Sequence, residues 1–178
     1  MGLSHCLTRK QETIMTSKAI PTTKSAAKAP ARPQQATALL RADHKLVSDL
    51  FEDYEKTTST ARKKQLIGQI CTELTVHAQV EEEIFYPAVQ AALNDKELVP
   101  EATVEHATLK DLIKQVEFRE PDGDMFDAKV KVLSEYVKHH VKEEQNEMFP
   151  KAKAAALNMN ELGAQMAARK AELMQMRP

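Results

Sequence analysis

The segment His77-Ala78-Gln79-Val80-Glu81-Glu82-Glu83-Ile84-Phe85-Tyr86-Pro87 returns further along the chain as His140-Val141-Lys142-Glu143-Glu144-Gln145-Asn146-Glu147-Met148-Phe149-Pro150. Both copies place a histidine ten residues, and a glutamate six residues, ahead of a proline. Upstream the match continues: Asp43-His44 followed by Asp49-Leu50-Phe51 corresponds to Glu105-His106 followed by Asp111-Leu112-Ile113. A shift of 62 or 63 residues therefore superimposes two pairs of segments, the mark of an internal duplication.

Apolar residues around these segments recur at threes and fours, the spacing of amphipathic helices. Leu39, Leu40, Leu46, Val47, Leu50, Phe51 and Tyr54 predict a first helix. After the polar break Thr57 to Thr60, which offers capping residues, Leu66, Ile67, Ile70, Leu74, Val76, Ile84, Val89 and Leu93 predict a long second helix that bends near Pro87. Asn94 and Asp95 loosen the chain, and Val99, Val104, Leu109, Leu112, Ile113 and Val116 predict a third helix, stopped by Pro121-Asp122-Gly123-Asp124. A fourth runs through Val130, Leu133, Val137, Val141 and Met148 to Pro150 and the alanines beyond. Short connections make antiparallel neighbours the simplest packing, which leaves up-down and ferritin-like bundles both open.

The rest of the sequence frames this core. With 42% hydrophobic residues, four glycines and no tryptophan, the 178-residue chain reads as all-α, with one core. Residues 1–35, interrupted by Pro21, Pro30 and Pro33, read as a disordered basic leader; a transit peptide, or residues upstream of a start at Met15, are the alternatives. The expected division is thus a leader over 1–35, a bundle over 36–156 and a C-terminal amphipathic helix over 157–178. That last helix is expected to pack across the bundle or to mediate association, leaving a homo-oligomer open. A formal net charge of −1 gives no global attraction to nucleic acid or anionic membrane. No run approaches the roughly 20 apolar residues that span a bilayer. Cys6 and Cys71 form no framework, so a reducing, cytoplasmic setting is expected.

Residues four apart share a helical face, so each His-x3-Glu can present both groups to one site. Alone, such a pair is ordinarily a surface ion pair. Duplication alters the reading, because four of the six histidines occupy equivalent positions. The four helices can bring His44, His77, His106 and His140 together with Glu81 and Glu144. Imidazole supplies a directional nitrogen for a borderline metal, and a carboxylate can bridge two cations and offset their charge. His139 and Glu143 form the same motif one residue out of register, but alignment on Pro150 favours His140 and Glu144 and makes His139 flanking. Glu82, Glu83, Glu143 and Glu147 read as a solvated face or as partners that orient the histidines. Glu73, one turn before His77, is a further candidate ligand, and His5 is solvated.

Through Asp43-His44, His77-x3-Glu81 with its Phe-Tyr-Pro, Glu105-His106, and His139-His140-x3-Glu144 with Met-Phe-Pro, residues 37–156 resemble the hemerythrin-like cation-binding (HHE) family. The resemblance implies an up-down-up-down four-helix bundle. It also implies two non-haem iron ions with a bridging oxo or hydroxo group, His44, His77, His106 and His140 as terminal ligands, and Glu81 and Glu144 as bridges. Ferritin-like bundles use Glu-x-x-His instead. Lys110 stands where oxygen-carrying hemerythrins have a second histidine, so another side chain, such as Glu73 or a tyrosine, or water must complete the coordination. The first functional expectation is a non-haem di-iron protein that binds or senses dioxygen, nitric oxide or iron itself. The alternatives are a di-iron enzyme acting on peroxide or nitric oxide, and a metal-free helical interaction module using the Met-rich tail. No DNA-reading motif, nucleotide loop or nucleophilic triad stands in the sequence.

Overall fold

The computed structural model describes residues 1–2, 34–94 and 96–177; residues 3–33 of the expected leader, with His5 and Cys6, and Asp95 lie outside the described residues. The described residues form seven α-helices: α1 (Ala36–Lys56), α2 (Thr60–Val80), α3 (Tyr86–Leu93), α4 (Leu98–Val116), α5 (Asp124–Glu143), α6 (Phe149–Ala154) and α7 (Met159–Met176). α2 and α3 form one rod over 60–93, and α5 and α6 another over 124–154. With α1 and α4 these rods make the up-down-up-down bundle, α1 packing on α2 and α4 on α5. No strand occurs among the described residues.

The connections follow local chemistry. Ser59 caps α2 by accepting from the Arg62 amide at 3.4 Å, satisfying one of the donors that a helix start leaves free. Asn94 ends α3 in the left-handed region at φ 49°, which asparagine tolerates better than most residues. Gly123, at φ 124°, turns the chain into α5.

The core has two parts. Leu40, Val76, Val80, Phe85, Val89, Phe149 and Met166 fill one end of the bundle, whereas Phe51, Leu66, Ile67, Ile70, Val116 and Leu133 fill the other. Between them lie the buried polar side chains of His44, His77, Glu81, His106, His140 and Glu144.

Two features depart from the expected continuous rods. α2 passes into a π-helical turn, Glu81–Phe85, before α3, and α5 passes into Glu144–Met148 before α6. In each, the residue after the turn bonds five back: Tyr86 N–H to Glu81 C=O, and Phe149 N–H to Glu144 C=O. The next residues, Pro87 and Pro150, have no N–H, and a proline ring crowds the carbonyl four residues back. A widened turn relieves that crowding, at Pro87 where the sequence predicts a bend and equally at Pro150 where it predicts none.

α7, capped by Asn158 at the Glu161 amide, lies across α1, α2 and the first π turn. A Cβ on Gly163 would meet the Gln34 carbonyl oxygen at 1.9 Å, so glycine alone permits this approach. Arg169 reaches Glu83 at 2.6 Å, and Lys170 reaches Asp43 at 2.7 Å and Glu73 at 3.3 Å. No helix among the described residues is long and apolar enough to cross a membrane.

Candidate metal centre

Each rod delivers its part of the cluster through helical periodicity. His44 comes from α1, His77 from α2, His106 from α4 and His140 from α5, while Glu81 and Glu144 open the two π turns. The carboxylates are almost fully buried, Glu81 at 0% and Glu144 at 2% exposure. The Nε2 atoms of His44 and His77 lie 3.0 Å apart, and those of His106 and His140 lie 3.1 Å apart. Glu81 Oε2 sits 3.2 Å from His77 Nε2 and 3.5 Å from His106 Nε2. Glu144 Oε2 sits 3.2 Å from His44 Nε2 and 3.7 Å from His140 Nε2. Each carboxylate therefore reaches one imidazole of both pairs, the placement a bridging group requires.

The outward ring nitrogens are also met. Asp43 Oδ2 stands 3.4 Å from His77 Nδ1, and Glu105 Oε2 stands 2.7 Å from His140 Nδ1. Glu82 Oε1 lies 3.0 Å from His106 Nδ1, and Gln145 Nε2 lies 3.0 Å from His44 Nδ1. An acceptor at Nδ1 holds the proton there and leaves the Nε2 lone pair free for a metal. Asp43, Glu105 and Glu82 act in this way.

The π turns place two rings beside the centre. Five residues along an α-helix rotate a side chain by about 140°, which would carry Tyr86 away from Glu81. The wider turn brings it back: Tyr86 Oη lies 3.1 Å from His106 Nε2 and donates to Glu144 Oε1 at 3.0 Å. Phe149, its counterpart in the duplication, stacks on His44 with ring centres 6.0 Å apart and planes 4° from parallel.

Charge and satisfaction both fit a bound cation. Both oxygens of Glu81, and Oε2 of Glu144, are buried with no hydrogen-bond partner of suitable geometry among the described residues. Leaving such oxygens unpartnered costs about 1–3 kcal/mol each, and more when charged. Burial would push His77 down, but Glu81, Asp43 and Glu144 outweigh it and raise the imidazole to about 10. Burial opposes, and Glu105, Glu144 and Glu81 likewise raise, the His140 imidazolium. Burial would raise Glu81, yet His77 and His106 hold its carboxyl well below the usual range. The arrangement favours positive charge at its middle. Within the centre two groups of donors lie close enough to hold ions, His44, His77, Glu81 and Glu144 in one, and Glu81, His106 and His140 in the other, sharing Glu81; a third group, Glu105, His139 and Glu143, lies outside it with His139 exposed.

Against this centre lies a cavity of about 20 Å³, walled by the imidazoles and by Val47, Leu74, Leu109, Ile113 and Val137. It exceeds the roughly 10–15 Å³ that one water-sized molecule needs.

All six candidate ligands read from the sequence meet in this cluster. His139 does not: its side chain is 60% exposed, between Glu105 at 3.5 Å and Glu143 at 3.2 Å. Glu73 turns instead to Lys170. Lys110, in place of a fifth histidine, ion-pairs with Glu82 at 2.6 Å and lines the cavity. Sequence reasoning gave no role to Asp43, Glu105 or Gln145, and offered a tyrosine as a possible further ligand without saying which. The first two were legible as the acidic residues preceding His44 and His106; each serves the histidine of the neighbouring helix, a pairing that only the fold reveals.

The sequence profile described as "Hemerythrin HHE cation binding domain" matches residues 35–152. A DNA nickase from Nostoc sp. (strain PCC 7120 / SAG 25.82 / UTEX 2576) is 30% identical over 111 residues, covering 62% of this chain. The chain spans about a third, 31%, of that relative's length. The crystal structure of a hemerythrin HHE cation binding domain-containing protein from Mycobacterium kansasii superposes with a TM-score of 0.70 at 22% identity, covering 80% of this chain and 89% of that one. At that identity the likeness speaks for the fold.

Proposed function

This chain belongs to the Hemerythrin HHE cation binding domain family, and from that premise we propose that it is a non-haem di-iron protein that binds or senses a small ligand such as dioxygen or nitric oxide. The observation that carries this reading is the cavity of about 20 Å³ walled by all four imidazoles of a cluster that also holds two buried carboxylates. His44 and His77 would hold one ion, His106 and His140 the other, with Glu81 and Glu144 shared. An iron pair with an open position supplies reversible binding of a small molecule, or electrons to it. Tyr86 Oη, 3.1 Å from His106 Nε2, would be the side chain to complete the coordination or to hydrogen-bond a ligand there. Val47, Leu74, Leu109 and Val137 exclude bulk water and favour a small apolar guest.

Turnover of peroxide or nitric oxide is the second reading, favoured by the Tyr86 hydroxyl, a proton donor already aimed into the cluster at Glu144. The nickase named among the relatives is matched over less than a third of its length, and a nucleic-acid substrate is not part of this proposal.

The test is iron content per chain by elemental analysis of protein produced with ample iron, together with its absorption spectrum. About two irons per chain, with near-ultraviolet bands that move on adding azide, are expected. A chain without stoichiometric iron and with a featureless spectrum would overturn the proposal. Peroxide consumption at rates far above free iron would shift the reading from binder to enzyme.

A further inference from the structure

The duplication is exact in its inner residues and broken around them. Glu82 and Gln145 are equivalent positions, each second in its π turn, and each crosses to a histidine of the other half. Glu82 presents a carboxylate to His106 Nδ1 at 3.0 Å and is itself held by Lys110 at 2.6 and 2.7 Å. A carboxylate only accepts, so it keeps a proton on His106 Nδ1 and makes Nε2 the nitrogen available to a metal. At the opposite position Arg41 donates to Gln145 Oε1 at 2.6 Å and to its backbone carbonyl at 3.2 Å. A guanidinium has no acceptor, so the amide oxygen must face Arg41 and the amide nitrogen must face His44.

That nitrogen donates to His44 Nδ1 at 3.0 Å, which puts the imidazole proton on Nε2, the atom that faces His77 and Glu144. His44 is thereby held in the tautomer that cannot ligate through Nε2. Coordination there requires its proton to move and the Gln145 amide to turn away from Arg41. His106 and His140, backed by Glu82 and Glu105, keep their Nδ1 protons on ligation and have only to release a proton from Nε2, with no outer side chain turning.

We infer that the two metal positions are unequal: the His106/His140 position fills first and more tightly, and the Gln145–Arg41 pair holds the His44/His77 position as a weaker, second-filled site. Glu82 and Gln145 are the positioning residues that set this order. The inference rests on the two-metal reading proposed above, and the test separates the two.

The full-length chain, stripped of metal by chelation, is titrated anaerobically with ferrous iron in a calorimeter, and Mössbauer spectra are taken of the loaded protein. Two binding steps at least about tenfold apart are expected, the range over which such outer partners act. Glu82→Gln weakens the first step by about 10–100-fold and leaves the second nearly unchanged. Gln145→Glu supplies the missing acceptor and brings the second step towards the first; the two unequal quadrupole doublets of the unsubstituted protein converge. Both side chains are only partly buried and both exchanges are isosteric, so the fold is retained. Two irons bound with equal affinity, or Glu82→Gln weakening both steps alike, or Gln145→Glu leaving the steps and doublets unchanged, would overturn the inference while leaving the two-metal centre standing. No uptake at all would overturn both.

Discussion

Adjacent histidines on α5 meet opposite surroundings. His140 is buried with Glu105 on one ring nitrogen and the cluster on the other, whereas His139 is mostly exposed between two glutamates. His140→Ala is expected to lower iron content well below that of the unsubstituted chain, and His139→Ala to leave it within error, by elemental analysis. The reverse result would mean the register is shifted by one residue. At the other end of the bundle, Asp127 accepts from Tyr54 at 2.7 Å and pairs with Lys63 at 2.5 Å, joining α1, α2 and α5. The Lys63 ammonium, helped by Tyr54 and opposed by burial, holds the Asp127 carboxyl below its ordinary value. A depressed carboxyl stabilises the fold above its unfolded value, near about 4, and loses that contribution as pH falls through the folded value. Thermal melts should therefore show Asp127→Asn less stable at neutral pH, with the difference closing in acid. A difference that persisted unchanged at acid pH would show that Tyr54 and Lys63 act on Asp127 through packing rather than charge.

At the scale of elements, α7 depends on one glycine. The nearest obstacles to a Cβ at Gly163 are backbone atoms of Gln34, Gln35 and Ala36, which no rotamer change can move. Gly163→Ala is expected to destabilise the fold by about 1–3 kcal/mol and to loosen α7, read as faster hydrogen exchange along Met159–Met176. Unaltered exchange there would mean that α7 is held by Arg169 and Lys170 without the close approach. The helices themselves were legible from period and breakers, since each predicted apolar stripe lies on an observed helix. The two π turns were not. Their signal, a proline six residues after each glutamate, is in the sequence, but proline equally predicts a bend, and only the five-residue bonds from Tyr86 and Phe149 distinguish the two outcomes. The place of α7 was likewise open, because an amphipathic helix states that it has a face to bury and not what covers it.

At the scale of the whole molecule, the bundle is two apolar cores with a polar layer between them. The duplication made this layer legible before any coordinates, because matched histidines in matched helices meet at one height. Its asymmetry was visible as Glu82 against Gln145 yet carried no meaning until the crossing of partners was known. Four helices tied at mid-height should gain stability from any ion that binds only the folded chain. Ferrous iron at a hundredfold excess over its dissociation constant should add about 2.7 kcal/mol, or roughly 5–10 °C in melting temperature for a chain of this size. Calorimetric melts with and without iron check this, and Glu81→Ala should abolish most of the shift. An equal shift in that variant would place the ion elsewhere.

The same layer gives the metal-free molecule a seam that hydrostatic pressure would find first. That layer holds unpartnered carboxylate oxygens and a small void walled by the imidazoles, and pressure favours states in which voids take up solvent. High-pressure NMR of the iron-stripped chain should show Leu74, Leu109 and Val137 responding at lower pressure than Leu40 or Phe126, with both apolar ends still folded. Simultaneous loss of signals from both ends would mean that the cores yield together and that the seam is no weaker than the rest. Iron should close it, so that a protein able to swell at its waist when empty becomes, once loaded, one of uniform compressibility from end to end.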